Sequence, residues 1–253
     1  MLKAFITGAT AGFGKAIAIK FAEHGWDVII NGRRKDRLEA LEKEITSTFD
    51  TKVFTLPFDV TQPEEVKAAI QSLPYEWKNI DVLVNNAGLA SGLNVINEGD
   101  ITDWEIMIDT NVKGLLYVSR AIMPGMVDRK KGHIINIGSI AGKEAYARGN
   151  VYCATKHAVD AISKSMRIDL LPHGIKVTSV NPGAAETEFS LVRFKGDTEK
   201  AAQVYKGYEP LRPGDIADVV YFAASRPAHV VINDVIVTPI AQANTSYFIK
   251  NND

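Results

Sequence analysis

The chain has 253 residues, 46% of them hydrophobic and 23% charged, with a formal net charge of −1. That is the composition of a globular protein with a sizeable core, and its near-neutral balance leaves no excess of Lys and Arg to neutralise a nucleic acid. A single cysteine, Cys153, excludes an internal disulfide framework and fits a reducing compartment, and no apolar run approaches the roughly 20 residues a membrane-spanning helix needs, so the expectation is a cytoplasmic protein.

The chain opens on a short apolar run, Lys3–Thr7, read as a core strand, and passes at once into "TGATAGFG". Glycines at such a strand–helix junction let the chain turn tightly and let backbone N–H groups approach a pyrophosphate at the helix N-terminus. The spacing, with Gly8, Gly12 and Gly14, is G-x3-G-x-G. Contacts from Gly8, Thr10, Gly12, Phe13 and Gly14 to a dinucleotide are expected. A helix over Gly14–His24 leads to a second strand, Asp27–Asn31, which ends in "NGRRKDR". A carboxylate at this place would hold the ribose 2′-hydroxyl of NAD. Arg33 and Arg34 stand there instead, and guanidinium groups bind a 2′-phosphate, which favours NADP(H).

Further along, a helix over Lys35–Phe49 precedes a third strand, Lys52–Pro57, followed by Asp59 as a partner for the adenine amino group and Val60 flanking the ring. A helix over Pro63–Leu73 starts on Pro63 with Glu64 and Glu65 behind it. The fourth strand, Ile80–Asn85, ends in "NNAG", where Asn86, Ala87 and Gly88 suit bracing of the backbone or close approach to a cofactor. A long helix is expected over Asp103–Asp128, entered through Thr102. Strands over Gly132–Ile137, Ile175–Val180 and Val231–Val237, and helices over Val151–Leu171 and Asp215–Ser225, complete the alternation. Most strands lack polar alternation, as strands buried on both faces do. The pattern predicts one doubly wound α/β domain, residues 1–253, a Rossmann-type parallel sheet of about seven strands in order 3-2-1-4-5-6-7 with helices on both faces. The irregular, Pro- and Gly-containing stretch after the sixth strand, including residues 184–213, is expected to form a substrate loop at the carboxyl edge of the sheet.

The chemistry concentrates after the fifth strand. Ser139 lies in "INIGSIAG", which lacks the glycines of a nucleophile elbow, and the five histidines are scattered without ligand spacing, so no metal is expected. Thirteen residues on, "NVYCATK" sets Tyr152 and Lys156 four apart, one helical turn on one face. Bringing a phenol from a pKa of about 10 to about 7.5 takes roughly 3.4 kcal/mol. An ammonium ~5 Å away at an effective dielectric of ~20 supplies about 3.3 kcal/mol, so one lysine, helped by the positive nicotinamide ring of a bound cofactor, is enough. The spacing therefore predicts a phenol able to act as general acid or base near neutral pH.

Taken together, "TGATAGFG", "NNAG", Asn111 in "DTNVKG", Ser139 and the Tyr152–Lys156 pair occur in the order and approximate spacing of the short-chain dehydrogenase/reductase family, which the chain resembles over essentially its whole length. The resemblance implies a Tyr152 that gives a proton to a carbonyl during reduction. It implies a Lys156 that lowers the tyrosine's pKa and holds the nicotinamide ribose, and a Ser139 that bonds the substrate oxygen. Asn111 would hold a water linking Lys156 to solvent. Pro182 and Gly183 resemble the segment touching the nicotinamide end, and Thr187 its partner for the carboxamide. "IDTNVKGL", "TEFSLVRFKGD" and "PAHVVIND" are similar to the branch of NADP-dependent 3-hydroxy acid, serine and allo-threonine dehydrogenases, which also reduce malonic semialdehyde. A sulfoacetaldehyde reductase forming isethionate is the nearest alternative, and a non-catalytic NADP-binding regulator is the alternative of another class.

A small anionic substrate needs a cation about 5 to 7 Å from its reacting carbon. Arg148, four residues before Tyr152, and Arg193 and Lys195 in the loop are candidates. Tyr146, Tyr205 and Tyr208 either line the pocket or pack beneath the loop. By resemblance the two long helices pack subunits into a homotetramer, and "PIAQANTSYFIKNND" reaches a neighbouring subunit.

Overall fold

Almost continuous apolar strands can be buried on both faces only if helices cover both, and the computed structural model, which describes residues 1–251, has that arrangement. Strands β1 (Lys3–Ile6), β2 (Asp27–Gly32), β3 (Val53–Pro57), β4 (Val82–Asn85), β5 (Gly132–Ile137), β6 (Ile175–Pro182) and β7 (Asp234–Val237) form one sheet in the order β3-β2-β1-β4-β5-β6-β7. Every pairing is parallel. The helices are α1 (Gly12–Glu23), α2 (Lys35–Thr48), α3 (Pro63–Gln71), α4 (Ile101–Ile108), α5 (Leu115–Arg129), α6 (Asn150–Leu170), α7 (Glu188–Arg193), α8 (Thr198–Gln203) and α9 (Pro213–Ala224).

Alternate strand residues serve two separate cores. Ile6, Ile30, Val84, Ile135 and Val180 meet Ile17, Phe21, Leu38, Ile216 and Val220 of α1, α2 and α9 on one face. Phe5, Ile29, Leu83, Ile134 and Val177 meet Val66, Leu115, Val118, Met126 and Val159 of α3, α5 and α6 on the other. Fully burying each such side chain stabilises the fold by about 1.5–3 kcal/mol, which is why a period of two in the strands shows no polar face. Polar groups that enter the sheet are bonded to one another: Asn85 donates to Asn136 at 2.8 Å and to Ser119 at 2.9 Å, and Asn136 donates to Ser163 at 2.9 Å. These bonds stitch β4 and β5 to α5 and α6.

The long helix expected over Asp103–Asp128 is three pieces. It starts earlier, at Ile101, where the Asp100 carboxylate accepts from the Thr102 N–H at 2.9 Å, and a π-helical turn over Asp109–Gly114 separates α4 from α5. The last strand is also shorter than expected, beginning at Asp234. The stretch expected to be irregular holds two short helices, α7 and α8, each capped by a side chain: Thr187 accepts from the Phe189 N–H and Asp197 from the Lys200 N–H. No helix among the described residues is long and apolar enough to cross a membrane.

Candidate active site

In a parallel sheet all carboxyl ends point the same way, so the loops after successive strands converge. Here the loops after β1 through β6 line one cleft of about 590 Å³, within the range of small-molecule and cofactor sites. The turn after β1 is built by close backbone approach. Gly8 has φ +65°, and a Cβ there would sit 2.9 Å from Ala87 Cα, while a Cβ on Gly14 would collide with the Gly8 carbonyl. Asn86 completes the turn, donating to the carbonyls of Thr7 (2.9 Å) and Gly8 (3.1 Å). The floor therefore presents bare backbone at the start of α1, the cradle a pyrophosphate needs.

At the end of β2, Arg33 and Arg34 border the cleft. Arg34 donates to Thr10 Oγ1 at 3.0 Å, and Arg33 lies 3.6 Å from Asp59. Asn31 at this strand end lines the cleft and donates its amide N–H groups to the carbonyls of Leu56 and Phe58. The donor set fits a 2′-phosphate. Asp59 also accepts from the Thr61 N–H and hydroxyl, both at 2.9 Å, through one carboxylate oxygen, leaving the other toward Arg33 and the cleft. Val60, Ala87, Gly88, Pro182 and Gly183 line the same wall. Thr187 lines it too, but its oxygen caps α7, so toward a ligand it has its O–H left to donate.

Tyr152 and Lys156 stand one turn apart on α6 and both face the cleft, with Ser139 opposite after β5. Lys156 is buried and donates to the Ile137 carbonyl at 3.0 Å; burial pulls its pKa down to about 8. The Tyr152 phenol is buried as well, and desolvation pushes it above the ordinary tyrosine range, opposed by the Ser139 hydroxyl and the charge on Arg193. Burial thus opposes the downward shift expected from the lysine and a bound cofactor's charge. The Coulomb estimate omitted the cost of burying both groups, and the Lys156 Nζ lies 6.0 Å from the centre of the tyrosine ring. Ser139 accepts from the Ala141 N–H at 3.1 Å, and Lys143, bonded to Asp160 (2.5 Å) and Asp234, ties the turn that follows it to α6 and β7. Asn111 sits behind the cleft wall in the π-turn, holding Leu89 by both backbone groups (2.8 Å each) and donating to Thr155 at 3.1 Å.

Arg193, at the end of α7, covers the tyrosine. Its guanidinium centre is 5.2 Å from the Tyr152 ring centre, 5.6 Å from that of Tyr146 and 5.8 Å from that of Phe189. One terminal nitrogen donates to the Tyr146 hydroxyl, while the buried Nε–H has no hydrogen-bond partner. Buried donors are nearly always satisfied, so this one marks a place for an acceptor. Arg148 is different: it is exposed, has φ +67°, and borders a separate cavity of about 10 Å³ rather than the cleft. Its four-residue spacing from Tyr152 carries no helical meaning because α6 begins only at Asn150. Lys195 turns away to Asp103 at 3.0 Å.

Among the described residues, the C-terminal segment packs over its own chain. Gln242 accepts from the Ala184 N–H at 2.8 Å, the Phe248 and Tyr208 rings lie 5.2 Å apart, and Gln242, Thr245, Phe248 and Lys250 line the cleft. Sequence reasoning missed these four because they belong to no motif. Of the three tyrosines left open, all line the cleft, and Tyr205 also packs the loop, bonding to Ser190 (2.6 Å) and the Ala185 carbonyl (2.7 Å).

Residues 3–197 match the family described as short chain dehydrogenase. An NADP-dependent 3-hydroxy acid dehydrogenase, YdfG, of Salmonella typhi is 50% identical over 239 residues, 94% of this chain and 95% of that one. A serine 3-dehydrogenase of Rhizobium radiobacter is 44% identical over 238 residues, 94% of each. Among solved structures, the closed form of a serine dehydrogenase complexed with NADP+ superposes with a TM-score of 0.92 at 44% identity, covering 99% of this chain and 100% of that one. A match over most of the sequence, with the same sheet order and a glycine turn, serine, tyrosine and lysine meeting in one cleft, has one reading: the chain belongs to the short-chain dehydrogenase family.

Proposed function

We propose that the chain interconverts a small anionic aldehyde or ketone and its hydroxy acid, using NADP(H). The observation that carries the substrate class is the Arg193 guanidinium, stacked over Tyr152 with an unpartnered buried Nε–H. A carboxylate there would satisfy that donor while its aldehyde lies near the phenol. Gly8, Thr10, Gly12 and Phe13 receive the pyrophosphate half, and Arg33 and Arg34 the 2′-phosphate. The bound dinucleotide supplies the hydride.

The residues of the chain then do the rest. Ser139 donates to the substrate oxygen and fixes its direction. Tyr152, kept protonated by burial, delivers its proton to that oxygen as negative charge develops. Lys156 stabilises the tyrosinate left behind and takes part in holding the ribose. Asn111 fixes Leu89 and supports the route by which Lys156 exchanges protons with solvent. Residues 184–213 form the segment that closes over the substrate, and Cys153, buried with its thiol pushed up, suits a reducing cytoplasm better than redox duty.

The test is NADPH oxidation with malonic semialdehyde, sulfoacetaldehyde and a neutral aldehyde of similar size, and NADP+ reduction with L-serine and L-allo-threonine. Replacing Arg193 by Ala is expected to cost roughly 10- to 100-fold in kcat/KM for anionic substrates, the worth of a hydrogen bond to a charged group, and little for the neutral one. Equal loss on both, or none on either, overturns the anion assignment; no turnover of any carbonyl would favour a regulator.

A further inference from the structure

Outside the cleft, behind the wall that carries Tyr152, lies a carboxylate that neither the fold nor the proposed chemistry requires. Asp103 stands in the first turn of α4, where Asp100 already caps the helix, and is only 8% exposed. A carboxylate serving the helix dipole alone gains most of that benefit at the surface; burial calls for partners. Asp103 has three. One oxygen accepts from Ser91 Oγ at 2.7 Å and faces Lys195 Nζ at 3.0 Å. The other lies against Gly92, where a Cβ would come within 2.8 Å of it.

All three flank Arg193. Gly92 donates its N–H to the Arg193 carbonyl at 3.0 Å, so the strip that Asp103 gathers holds the arginine's own backbone. Lys195, two residues beyond, has φ +53°, a left-handed conformation that a non-glycine residue adopts at a cost of about 1–2 kcal/mol. Its ion pairs with Asp103 at 3.0 Å and Asp100 at 3.7 Å tie the segment after α7 to the start of α4. The two attachments fix Arg193 from its C-terminal side, while its guanidinium reaches back over Tyr152.

We infer that Asp103 is a positioning residue for substrate affinity: through Ser91, Gly92 and Lys195 it fixes Arg193 at the distance from Tyr152 that suits a short anionic carbonyl substrate. The inference rests on the reading of Arg193 as the anion receptor. Because a head-group contact is the same in the ground and transition states, loosening it raises KM and leaves kcat nearly unchanged.

The experiment uses the full-length enzyme. Asp103→Asn keeps the volume and an acceptor for Ser91 but removes the nearer of the two carboxylates that face Lys195, leaving Asp100 at 3.7 Å. Lys195→Met removes the partner from an exposed position whose loss the fold tolerates. Each is expected to raise KM for the anionic aldehyde roughly tenfold, since displacement of a contact by about 1 Å is costly. Expected to stay within about threefold are kcat, the neutral aldehyde's KM and the Kd for NADPH from fluorescence titration. The double variant should be no worse than either single one, Lys195→Arg should retain wild-type KM, and trypsin should cut after Arg193 faster in both variants. If Arg193→Ala raises KM for the anion but Asp103→Asn and Lys195→Met do not, the positioning role is wrong while the receptor role stands. If Arg193→Ala itself has no such effect, both fall. Equal loss of kcat on anionic and neutral substrates would make Asp103 a purely structural residue and overturn the inference.

Discussion

Lys156 carries a charge at neutral pH that burial works to remove. With its pKa brought down to about 8, it is protonated below that pH and neutral above. Neutral Lys156 no longer stabilises a tyrosinate, so kcat/KM for NADPH-dependent reduction is expected to be flat from pH 6 to about 8 and to fall beyond it with unit slope. A profile flat to pH 10 would place the controlling group elsewhere. His133 offers a separate test, on stability. It lies between Val82 and Lys176 in the sheet with one nitrogen bonded to Thr178 at 2.7 Å and the other unpartnered. Burial, helped by Lys176, lowers its pKa to about 3. The unfolded chain takes up this proton near pH 6.5 and the folded one does not, so the stabilisation is full above pH 6.5 and is lost as pH falls toward 3. At pH 5 the loss is about 2 kcal/mol. Urea unfolding of His133→Asn at pH 7 and pH 5 should show a difference smaller by that amount. Individual site residues were legible where chemistry is local: a glycine turn or a Tyr–Lys pair one turn apart states its geometry in its spacing. Arg193 and Arg148 could be told apart only in space, because the rival positions differ in what lies above Tyr152 rather than in sequence distance.

The substrate segment shows what short elements conceal. α7 and α8 are six residues each, too brief for an 11- to 18-residue window to register a helical period, so two capped helices read as loop. The π-turn between α4 and α5 was hidden for the opposite reason, since one extra residue in a long apolar helix barely disturbs its pattern. What holds this segment at its base is Gln242, which accepts from Ala184 and donates to the Asn244 carbonyl at 3.1 Å while buried. Gln242→Ala removes two such bonds and is expected to destabilise the chain by about 2 kcal/mol, visible as a lower Tm, and to raise KM for substrate several-fold. Unchanged KM with lowered Tm would limit the tail to a structural part.

At the scale of the molecule, the sheet order was fully readable, since apolar strands alternating with amphipathic helices admit few arrangements and right-handed crossovers remove most of those. What the pattern left unspecified is the outer surface. The edge strand β7 presents Ile236 at 54% exposure, and Ile168 and Leu171 at the end of α6 stand more than 70% exposed. An uncovered apolar edge strand invites pairing with another chain. Sedimentation equilibrium is expected to give a mass four times that of the chain, and Ile236→Lys to shift it toward smaller species. A wild-type monomer at micromolar concentration would refute the homotetramer.

The hook that Gln242 places on Ala184 also sets an order of events during synthesis. Every residue proposed to recognise the dinucleotide, and the proposed acid and base beside it, is synthesised before residue 190, yet the pocket's far wall is made some fifty residues afterwards, at Gln242–Lys250. A nascent chain thus acquires its reactive groups well before it can enclose anything around them. A premature stop near residue 240 would yield a polypeptide that keeps every proposed reactive residue but has an open side.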